Sequence, residues 1–280
     1  MNCDLHTHTV HSDGSDTPKR LIELAKEREL VIALTDHNTV TGLPEFLSEA
    51  ERQGVTAIGG TEMSTEWEGR EFHLIGLFIA PEYYDRLENL CRDFLRLKEE
   101  SNIRLVNKLA EAGYPLDFAE VKKRNIKGQV NRAHIAAEMV KLGYVSTTKE
   151  AFDRFLDEKI GLYQPPKRFL LTDAIKFLKE IGAVSVLAHP LKEIGEAQLR
   201  AMLPTMVDAG LVGIETMHSS YDEEMVAVSK SIAADFGLLE SGGSDYHGEM
   251  KFGVTFGIGG GNKPVDGIYY EKLLEYKNNH

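Results

Sequence analysis

Short apolar segments alternate with amphipathic helical patterns through much of this 280-residue chain, and this alternation restricts the fold more than any other feature. Apolar segments over 31–35 and 55–59 flank a helical pattern over 43–53. An earlier helix is predicted to begin with Thr17 as N-cap and Pro18 at its first position. Repeated strand–helix units produce a largely parallel sheet. We therefore predict an α/β fold, and single α/β barrels commonly have about this length.

The middle of the chain departs from this alternation. A hairpin turn at Glu68-Gly69 precedes a predicted return strand over 72–79, and residues 83–157 are almost entirely helical in pattern. Strand patterns return at 184–188, 212–216 and 238–241. We predict a single domain over 1–280. Because the helical stretch is too long for one crossover, we predict that residues 83–165, approximately, form a helical insertion that covers the active site.

The composition disfavours several classes of protein. With 44 acidic and 32 basic residues the net charge is −12, and affinity for nucleic-acid phosphates comes largely from lysine and arginine. No apolar run approaches the ~20 residues of a membrane helix, and the first residues lack the basic and apolar regions of a signal peptide. Only two cysteines occur, Cys3 and Cys91, so we expect no disulfide scaffold and a cytoplasmic location. Double-stranded DNA and membranes are not expected as partners.

Histidine and carboxylate residues follow the predicted strands at nearly every strand end. In order along the chain they are His6 and His8, Asp36 and His37, Glu62, His189, His218, and Asp245 and His247. In a parallel α/β barrel the C-terminal ends of the strands converge on one face, where active sites lie. Random placement would not put these residue types after so many strands, so the pattern predicts a metal site at that face.

The pair His6 and His8 is informative by its spacing. Residues two positions apart on an extended strand point to the same side, and imidazoles combined with carboxylates suit manganese, iron and zinc alike. Asp13 lies in the turn over 12–15, and its local sequence fits a metal ligand and an ordinary turn aspartate equally well. His73 stands near the start of the return strand, and it reaches the same face if that strand runs opposite to its neighbour.

Together these segments resemble the motifs of the PHP family, named for polymerase and histidinol phosphatase. The ordered set spans nearly the whole chain and comprises the segment from His6-Thr7-His8 to Asp13-Gly14, then Thr35-Asp36-His37, Gly60-Thr61-Glu62, Ala188-His189-Pro190 and Gly243-Ser244-Asp245-Tyr246-His247. The resemblance implies a distorted (β/α)7 barrel of PHP type. It also implies a trinuclear metal centre at the C-terminal mouth, with three divalent ions that would be Mn, Fe or Zn.

The resemblance further implies how nine ligands are distributed over the three ions. The implied sets are His6, His8, Glu62 and Asp245 for one ion; Glu62, as a bridge, with His73 and His189 for a second; and Asp13, His37 and His247 for the third. It thereby gives Asp13 and His73 a role that their local spacing leaves open.

The substrate side is also indicated by resemblance. The segment Asn131-Arg132-Ala133-His134 resembles the arginine–histidine segment of the small phosphoesterase branch of the family, although that branch usually has proline where Ala133 stands. The branch is similar to enzymes that act on nucleoside monophosphates, 3′,5′-bisphosphates and short RNA 5′ ends. Two further elements, containing Lys167 and His218, also resemble it. The implied substrate-binding residues are Arg132, His134, Lys167 and His218.

These observations predict a metal-dependent phosphoester hydrolase, first of all a phosphomonoesterase acting on a nucleoside monophosphate or 3′,5′-bisphosphate. Clustered divalent ions lower the pKa of bound water toward ~7, orient the ester and neutralise charge in the transition state. We therefore expect a hydroxide shared between metals to attack phosphorus in line. Glu62, Asp245 and His247 are the predicted catalytic residues, and Asp245, His247 or a metal-bound water would supply the proton for the leaving group.

Other functions stay open on the sequence alone. The nearest alternative is a phosphodiesterase acting on cyclic phosphates or RNA 5′ ends. A histidinol-phosphate-type phosphatase is less favoured, because the segment around Arg132 and His134 resembles the nucleotide branch. A non-catalytic metal-binding regulatory module is the alternative of another class, and the intact set of metal-binding residue types weighs against it. The expected partner is a small phosphorylated substrate, a nucleotide or a short RNA end.

Overall fold

The computed structural model describes residues 1–123 and 130–280. Its strands are β1 (Asn2–Asp4), β2 (Leu30–Leu34), β3 (Ala57–Trp67), β4 (Arg70–Leu77), β5 (Phe169–Leu170), β6 (Val184–Ala188), β7 (Gly213–His218), β8 (Leu239–Gly243), β9 (Ile258–Gly259) and β10 (Lys263–Pro264). Its α-helices are α1 (Pro18–Glu27), α2 (Leu43–Gln53), α3 (Tyr84–Glu111), α4 (Phe118–Lys122), α5 (Arg132–Lys141), α6 (Thr148–Ala151), α7 (Leu171–Glu180), α8 (Pro190–Glu193), α9 (Glu196–Ala209), α10 (Glu223–Phe236) and α11 (Ile268–Asn279). Within these two ranges no helix is both long enough and apolar enough to cross a membrane.

Seven strands form the main sheet, in the order β1-β2-β3-β4-β6-β7-β8, and the short β5 pairs with β3. All neighbours are parallel except β4, which runs antiparallel to both β3 and β6. The outer strands approach each other at their C-terminal ends: the Leu5 amide donates to the Gly242 carbonyl at 3.1 Å, and the Asp245 amide donates to the His6 carbonyl at 2.9 Å. The sheet is a nearly closed barrel, and the predicted distorted (β/α)7 barrel is confirmed.

The close approach of β1 and β8 depends on Gly243. A Cβ at this position would lie 2.5 Å from both the Cβ and the backbone nitrogen of His6, far inside van der Waals contact. Any side chain would therefore push the two outer strands apart. Glycine is required where the His6 segment meets the segment that carries Asp245.

The β3–β4 hairpin extends the third strand beyond its predicted end and fixes the position of His73. The sequence pattern ends the third strand at Gly59, but β3 continues through Glu62 because β4 pairs with it along its length. In the antiparallel register of β4 and β6, His73 lies opposite Ala188. The start of β4 therefore lies beside the strand end that precedes His189, at the C-terminal mouth of the barrel.

Both faces of the sheet are buried, as expected for a mainly parallel sheet covered by helices. Along β2, Ile32 and Leu34 pack in one hydrophobic cluster with residues of α1, α2, α7, α9 and α10, whereas Val31 and Ala33 pack in a second cluster with residues of α11. The alternation follows from the two-residue repeat of a strand. The barrel therefore holds its strand ends in fixed relative positions.

Helices α3 to α6 lie between β4 and β5 in the chain, in the stretch whose pattern is helical. They enclose a third hydrophobic cluster, separate from those of the barrel, that includes Leu105, Ile135 and Met139. Helix α3 alone has 28 residues. The division of the chain into a barrel and an insertion over 83–165 stays a prediction.

Candidate metal centre and adjoining cleft

The nine residues predicted as metal ligands converge at the C-terminal mouth of the barrel. They fall into overlapping groups of potential ligand atoms: His8, Asp13, His37 and His247; His6, His189 and Asp245; His6, His8 and Glu62; and His37, Glu62 and His73. The imidazole rings are close-packed, with centroids 4.0 Å apart for His8 and His247 and 4.6 Å apart for His8 and His37. Six segments distant in sequence thus supply one continuous cluster.

Glu62 lies at the middle of the cluster and presents its two oxygens to different histidines. Its Oε1 lies 2.8 Å from Nδ1 of His73 and 3.2 Å from Nε2 of His189. Its Oε2 lies 3.1 Å from Nε2 of His6 and 3.2 Å from Nε2 of His8. A carboxylate placed in this way can bind one cation with each oxygen, which is the arrangement of a bridging ligand.

Asp13 forms a second focus of the cluster. Its Oδ1 lies 3.1 Å from Nε2 of His247, and its Oδ2 lies 3.7 Å from Nε2 of His37. Asp36 holds the loop that carries Asp13 against the end of β2. Its Oδ1 accepts hydrogen bonds from the Thr9 amide at 2.7 Å and from the Ser12 hydroxyl at 2.5 Å. Asp13 is therefore positioned by the end of β2 and is more than an ordinary turn residue.

Asp245 closes the cluster on the side of β8. Its Oδ1 lies 3.3 Å from Nε2 of His8 and 3.7 Å from Nε2 of His6. Its Oδ2 lies 3.1 Å from Nε2 of His218 and also contacts the ammonium of Lys251. The Asp245 carboxylate thus contacts His6 and His8 at the centre of the cluster and His218 and Lys251 at its edge.

Two of the converging residues have strained backbones. His189 has φ of 31° and Asp245 has φ of 55°, in the left-handed region that L-residues with a Cβ rarely occupy. Such conformations cost roughly 1–3 kcal/mol each and concentrate at functional sites, where the surrounding structure maintains them. In both cases the backbone turns directly after a strand, which directs the side chain back toward the mouth.

Burial and neighbouring charges oppose each other in this cluster. Burial raises the pKa of Glu62, but His37 and His6 hold that pKa well below its usual range. Burial lowers the pKa of His8 and of His73, but the adjacent carboxylates overcome it and raise these values to about 9 and about 10. The carboxylates are therefore ionised, and a cation that binds here has to displace protons from His8 and His73.

Several ligand-type atoms of the cluster are buried without a hydrogen bond. They are Nε2 of His6, both ring nitrogens of His8, Oε2 of Glu62 and Nδ1 of His189. A buried polar atom left unpaired costs roughly 1–3 kcal/mol. Imidazole nitrogens and carboxylate oxygens are donors that divalent transition-metal ions accept, so bound cations would satisfy these atoms. The donor set fits the divalent ions that the sequence predicts.

Glu215 is a member of the site that the ligand prediction leaves out. It is fully buried, its Oε1 lies 3.0 Å from Nδ1 of His6, and its Oε2 accepts a hydrogen bond from the His189 amide at 2.8 Å. A carboxylate on the outer nitrogen of a ligating histidine fixes its tautomer and orientation. From the sequence, the segment that ends at His218 is predicted to lie on the substrate side. The position of Glu215 within a strand that ends at the mouth is the signal that could have identified it.

A cleft adjoins the cluster on the side of the helices between β4 and β5. It is lined by Asp13, His37 and His73 of the cluster and by Phe94, Lys98, Arg132, Phe152, Tyr163 and Arg168. Three cations and three aromatic rings thus meet beside the candidate ligands. The cleft suits an anion that carries a flat group, since aromatic faces stack on planar rings and on cations.

The three cations of the cleft differ in their partners. Arg168 is buried and its Nη2 lies 2.8 Å from Oε2 of Glu71 and 3.0 Å from Oε1 of Glu158. The guanidinium of Arg132 stacks 4.4 Å from the ring centroid of Tyr163, its Nη2 lies 3.8 Å from the same oxygen of Glu158, and its Nη1 donates a hydrogen bond to the Leu156 carbonyl at 3.1 Å. Lys98 has no ion pair within the described residues, and burial lowers the pKa of its ammonium.

The four residues predicted for substrate binding occupy different places. Arg132 lines the cleft. Lys167 is exposed and does not line it, and Arg168 lies there instead, because successive residues of an extended segment point to opposite sides. His134 is buried, and its Nδ1 accepts a hydrogen bond from the Asn131 amide as part of the N-terminal cap of α5. His218 lies beside Asp245, within the cluster of candidate metal ligands.

Sequence comparison connects this geometry with known proteins. The sequence profile of the PHP domain matches residues 4–157. The chain is 33% identical over 261 residues to a phosphoribosyl 1,2-cyclic phosphate 1,2-diphosphodiesterase of Eggerthella lenta, over 91% of this chain and 97% of that protein. It is 30% identical over 246 residues to a 5′-3′ exoribonuclease of Haemophilus influenzae, over 87% of this chain and 89% of that protein.

Structural comparison gives the same result for the fold. A crystal structure assigned to a metal-dependent phosphoesterase of Bifidobacterium adolescentis superimposes with a TM-score of 0.84 and 28% sequence identity. The match covers 97% of this chain and 95% of that chain. The barrel and the helices beside the cleft are therefore both part of the shared fold.

Proposed function

The chain belongs to the PHP family and is a metal-dependent phosphoester hydrolase, and from this premise we propose that it acts on nucleotides that carry two phosphate groups. The observation that carries this proposal is the position of Lys98, Arg132 and Arg168 in a cleft that directly adjoins the candidate metal ligands. One phosphate would lie at the metal ligands, where it is hydrolysed. The other would lie among these cations, as in a nucleoside 3′,5′-bisphosphate.

The nine residues at the mouth are proposed to hold three divalent ions of Mn, Fe or Zn. The proposed sets are His6, His8, Glu62 and Asp245; Glu62, His73 and His189; and Asp13, His37 and His247. The division of the Glu62 oxygens between two groups of histidines supports its bridging role. Bound divalent ions would supply a water of lowered pKa, orient the ester and offset negative charge in the transition state.

The residues of the cleft bind the rest of the substrate. Arginine binds phosphate in a planar, bidentate manner, and lysine acts as a compact point charge. Arg132 and Arg168 are suited to orient the distal phosphate, and Lys98 adds a charge that no carboxylate of the described residues pairs. Phe152 is the partly exposed aromatic ring of the cleft and offers a face on which a nucleobase stacks. Base stacking is tolerant of sequence, so the proposed enzyme discriminates weakly between bases.

The remaining catalytic roles fall to Asp245 and His247. Burial raises the pKa of Asp245, but Lys251 and His6 hold that pKa well below its usual range. A carboxyl group with such a pKa carries no proton near neutral pH and is suited to hold a cation. The proton for the leaving oxygen then comes from His247 or from a water molecule.

Hydrolysis of phosphodiesters is a second candidate function. Two observations favour it: the Eggerthella lenta relative is named a cyclic phosphate diphosphodiesterase, and the Haemophilus influenzae relative is named an exoribonuclease. A diester differs from a monoester in one further substituent on the phosphorus that is attacked. The same ligands serve both reactions if the mouth of the barrel has room for that substituent.

A substrate screen with purified protein tests the proposal. The protein is loaded with Mn²⁺, Fe²⁺ or Zn²⁺, and release of phosphate or nucleoside is measured for AMP, adenosine 3′,5′-bisphosphate, ribose cyclic phosphates, histidinol phosphate and short 5′-phosphorylated RNA. We expect the bisphosphate to have the highest kcat/KM among the monoesters. Glu62→Gln should lose both metal and activity, while Lys176→Ala on the exposed face of α7 serves as control. Absence of turnover with every substrate and every metal would contradict the proposal.

A further inference from the structure

One carboxylate oxygen contacts both arginines of the cleft. Oε1 of Glu158 lies 3.0 Å from Nη2 of Arg168 and 3.8 Å from Nη2 of Arg132. Glu158 does not line the cleft itself. It lines a neighbouring outer cavity, whose wall also includes Glu71 and Arg132, and these two residues line the cleft as well. The contact of Glu158 with the arginines therefore lies at the border between the cleft and the outer cavity.

The two carboxylates that bind Arg168 are held to different degrees. Glu71 belongs to β4, which pairs with β3 along its length, and its Oε1 also lies 3.6 Å from Nε2 of His73. Glu158 begins a 3-10 turn of three residues, closed by the Gly161 amide, which donates to the Glu158 carbonyl at 3.1 Å. Its side chain is 37% exposed. Because a short surface turn moves more easily than a paired strand, Glu158 is the partner that a ligand would displace.

Arg168 has a hydrogen-bond donor that neither carboxylate uses. Its side chain is only 5% exposed, and its Nε is buried without a hydrogen-bond partner among the described residues. Its Nη2, in contrast, donates to both Glu71 and Glu158. A guanidinium is a planar fork whose donors match two oxygens of one phosphate. Since a buried donor without a partner is destabilising, a phosphate that accepts from Nε would gain a contact that Glu158 does not make.

Each arginine has an anchor other than Glu158. The guanidinium of Arg132 stacks 4.4 Å from the ring centroid of Tyr163, and its Nη1 donates to the Leu156 carbonyl at 3.1 Å. Arg168 donates to the carboxylate that β4 holds in place, at 2.8 Å. Loss of the Glu158 contacts should therefore free donors of both guanidiniums without disordering their side chains.

We propose that Glu158 is an internal competitor of the substrate. Its carboxylate binds Arg132 and Arg168 in the free enzyme, and the distal phosphate of the substrate has to displace it. The proposal rests on the proposed function, because that function places the distal phosphate among the same arginines. Displacement lowers the affinity of every ligand that uses the arginines. A ligand without a second anionic group leaves Glu158 in place and binds without this loss.

The charge of the incoming group decides whether displacement is favourable. A carboxylate such as that of Glu158 carries a single negative charge. A terminal phosphate carries a charge of about −1.5 to −2 near neutral pH and has three acceptor oxygens. A singly charged anion offers the arginines no more than Glu158 does, so its exchange for Glu158 yields little. Competition by Glu158 therefore favours a doubly charged end of the substrate over a singly charged one.

Ligand binding without catalysis tests the competition directly. Protein stripped of metal and dialysed free of chelator is titrated with adenosine 3′,5′-bisphosphate by isothermal calorimetry. Glu158→Gln keeps the size of the side chain and removes its charge, and we expect Kd to fall about fivefold. Glu193→Gln removes an exposed carboxylate that lines the same outer cavity without an ion pair to the described residues, and it should leave Kd unchanged.

The sign of the change separates competition from support. If Glu158 instead holds the guanidiniums in their binding orientation, Glu158→Gln should weaken binding of the bisphosphate. Weaker or equal affinity in this variant, an equal gain in Glu193→Gln, or no measurable binding in either the wild type or Glu158→Gln would overturn the proposal.

A second measurement distinguishes this inference from the proposed function. With Mn²⁺ bound, KM is compared for adenosine 3′,5′-bisphosphate and for p-nitrophenyl phosphate, which lacks a second phosphate. Glu158→Gln should lower the ratio of the first KM to the second about fivefold. An unchanged or higher ratio in an active enzyme overturns the competition and leaves the proposed function intact. Tighter binding of the bisphosphate by Glu158→Gln, in a protein that hydrolyses no substrate, supports the competition and overturns the proposed function.

Discussion

The amide nitrogen Nδ2 of Asn131 donates a hydrogen bond to Oδ2 of Asp13 at 2.7 Å, and so joins the first residue before α5 to a candidate metal ligand of the barrel. The same side chain accepts a hydrogen bond from the His134 amide at 3.2 Å and caps the helix. One residue thus connects the wall of the cleft with the cluster of candidate metal ligands.

The two roles of Asn131 can be separated by substitution. Asn131→Ser should retain the helix cap, because serine is about as good an N-cap as asparagine, but its shorter side chain should lose Asp13. We expect the free energy of unfolding to change by less than about 0.5 kcal/mol and the affinity for the most weakly bound metal to fall about tenfold. Chemical denaturation and metal titration measure the two effects. Asn131→Ala, which removes both contacts, should also cost about 1 kcal/mol of stability, and wild-type metal affinity in the serine variant would refute the link.

Glu215 should act on the metal through His6. Glu215→Gln keeps the size of the side chain but removes the charge that orients the imidazole, and we expect metal affinity to fall by about 10–100-fold. Metal content after dialysis against a chelator and direct titration measure this change. Glu240→Gln, a partly exposed residue of β8 that accepts a hydrogen bond from Thr216, is the matched control. If both variants retain metal equally, Glu215 does not position a ligand.

Metal binding should release protons. The carboxylates around them raise the pKa of His8 to about 9 and of His73 to about 10 in the metal-free protein, against the burial that lowers both. Ligating imidazoles must be neutral, so binding at pH 7.5 should release roughly two protons and affinity should rise with pH. Calorimetry in buffers of different ionisation enthalpy counts these protons. His73→Gln should lower the count by about one, whereas substitution of the terminal His280 by Gln should not alter it.

The same two histidines predict how the stability of the metal-free protein depends on pH. Their folded-state pKa values lie above the ~6.5 of an unfolded histidine. The stability that their protonation contributes is therefore fully present below pH ~6.5 and is lost as the pH rises through about 9 and 10. The Tm of the metal-free protein should fall between pH 7 and pH 10. In His73→Gln the fall should be smaller, and an equal slope in both proteins would count against the proposed protonation of His73.

Substitution of Arg168 should weaken substrate binding, whereas substitution of the adjacent Lys167 should not. Arg168→Ala removes a buried guanidinium of the cleft, and charged hydrogen bonds are worth about 1.5–3 kcal/mol. We expect KM for adenosine 3′,5′-bisphosphate to rise at least about tenfold, with little change for p-nitrophenyl phosphate, which lacks a second phosphate. Lys167→Ala, its exposed neighbour, is the control and should change neither KM. A rise of KM in Lys167→Ala instead would support Lys167 as the substrate-binding residue, as predicted from the sequence.

The cluster of candidate metal ligands could be predicted from the sequence because of how a barrel is built. Each strand is recognisable by its apolar residues, and the C-terminal ends of parallel strands must converge. His6, His37, His189 and His247 therefore could be assigned to one mouth before their distances were known. Asp13 and His73 needed the family resemblance, since the fold of the turn and the antiparallel direction of β4 are set by pairing with distant segments.

The cleft could not be read in the same way. Its cations come from α3, from the start of α5 and from the segment before β5, and nothing in their local sequence shows that they face one space. Lys98 stands in a long helix with many charges, where most lysines are solvated, and His134 matches a substrate motif but caps its own helix.

The sequence by itself determined the barrel and the ligand types at its mouth, because strand periodicity and the convergence of strand ends depend only on local patterns. The tertiary structure alone decided that Arg168 rather than Lys167 faces the cleft and that Glu215 lies behind His6. These features depend on which side of a segment is covered when distant helices pack against the barrel. Local sequence does not determine that long-range packing.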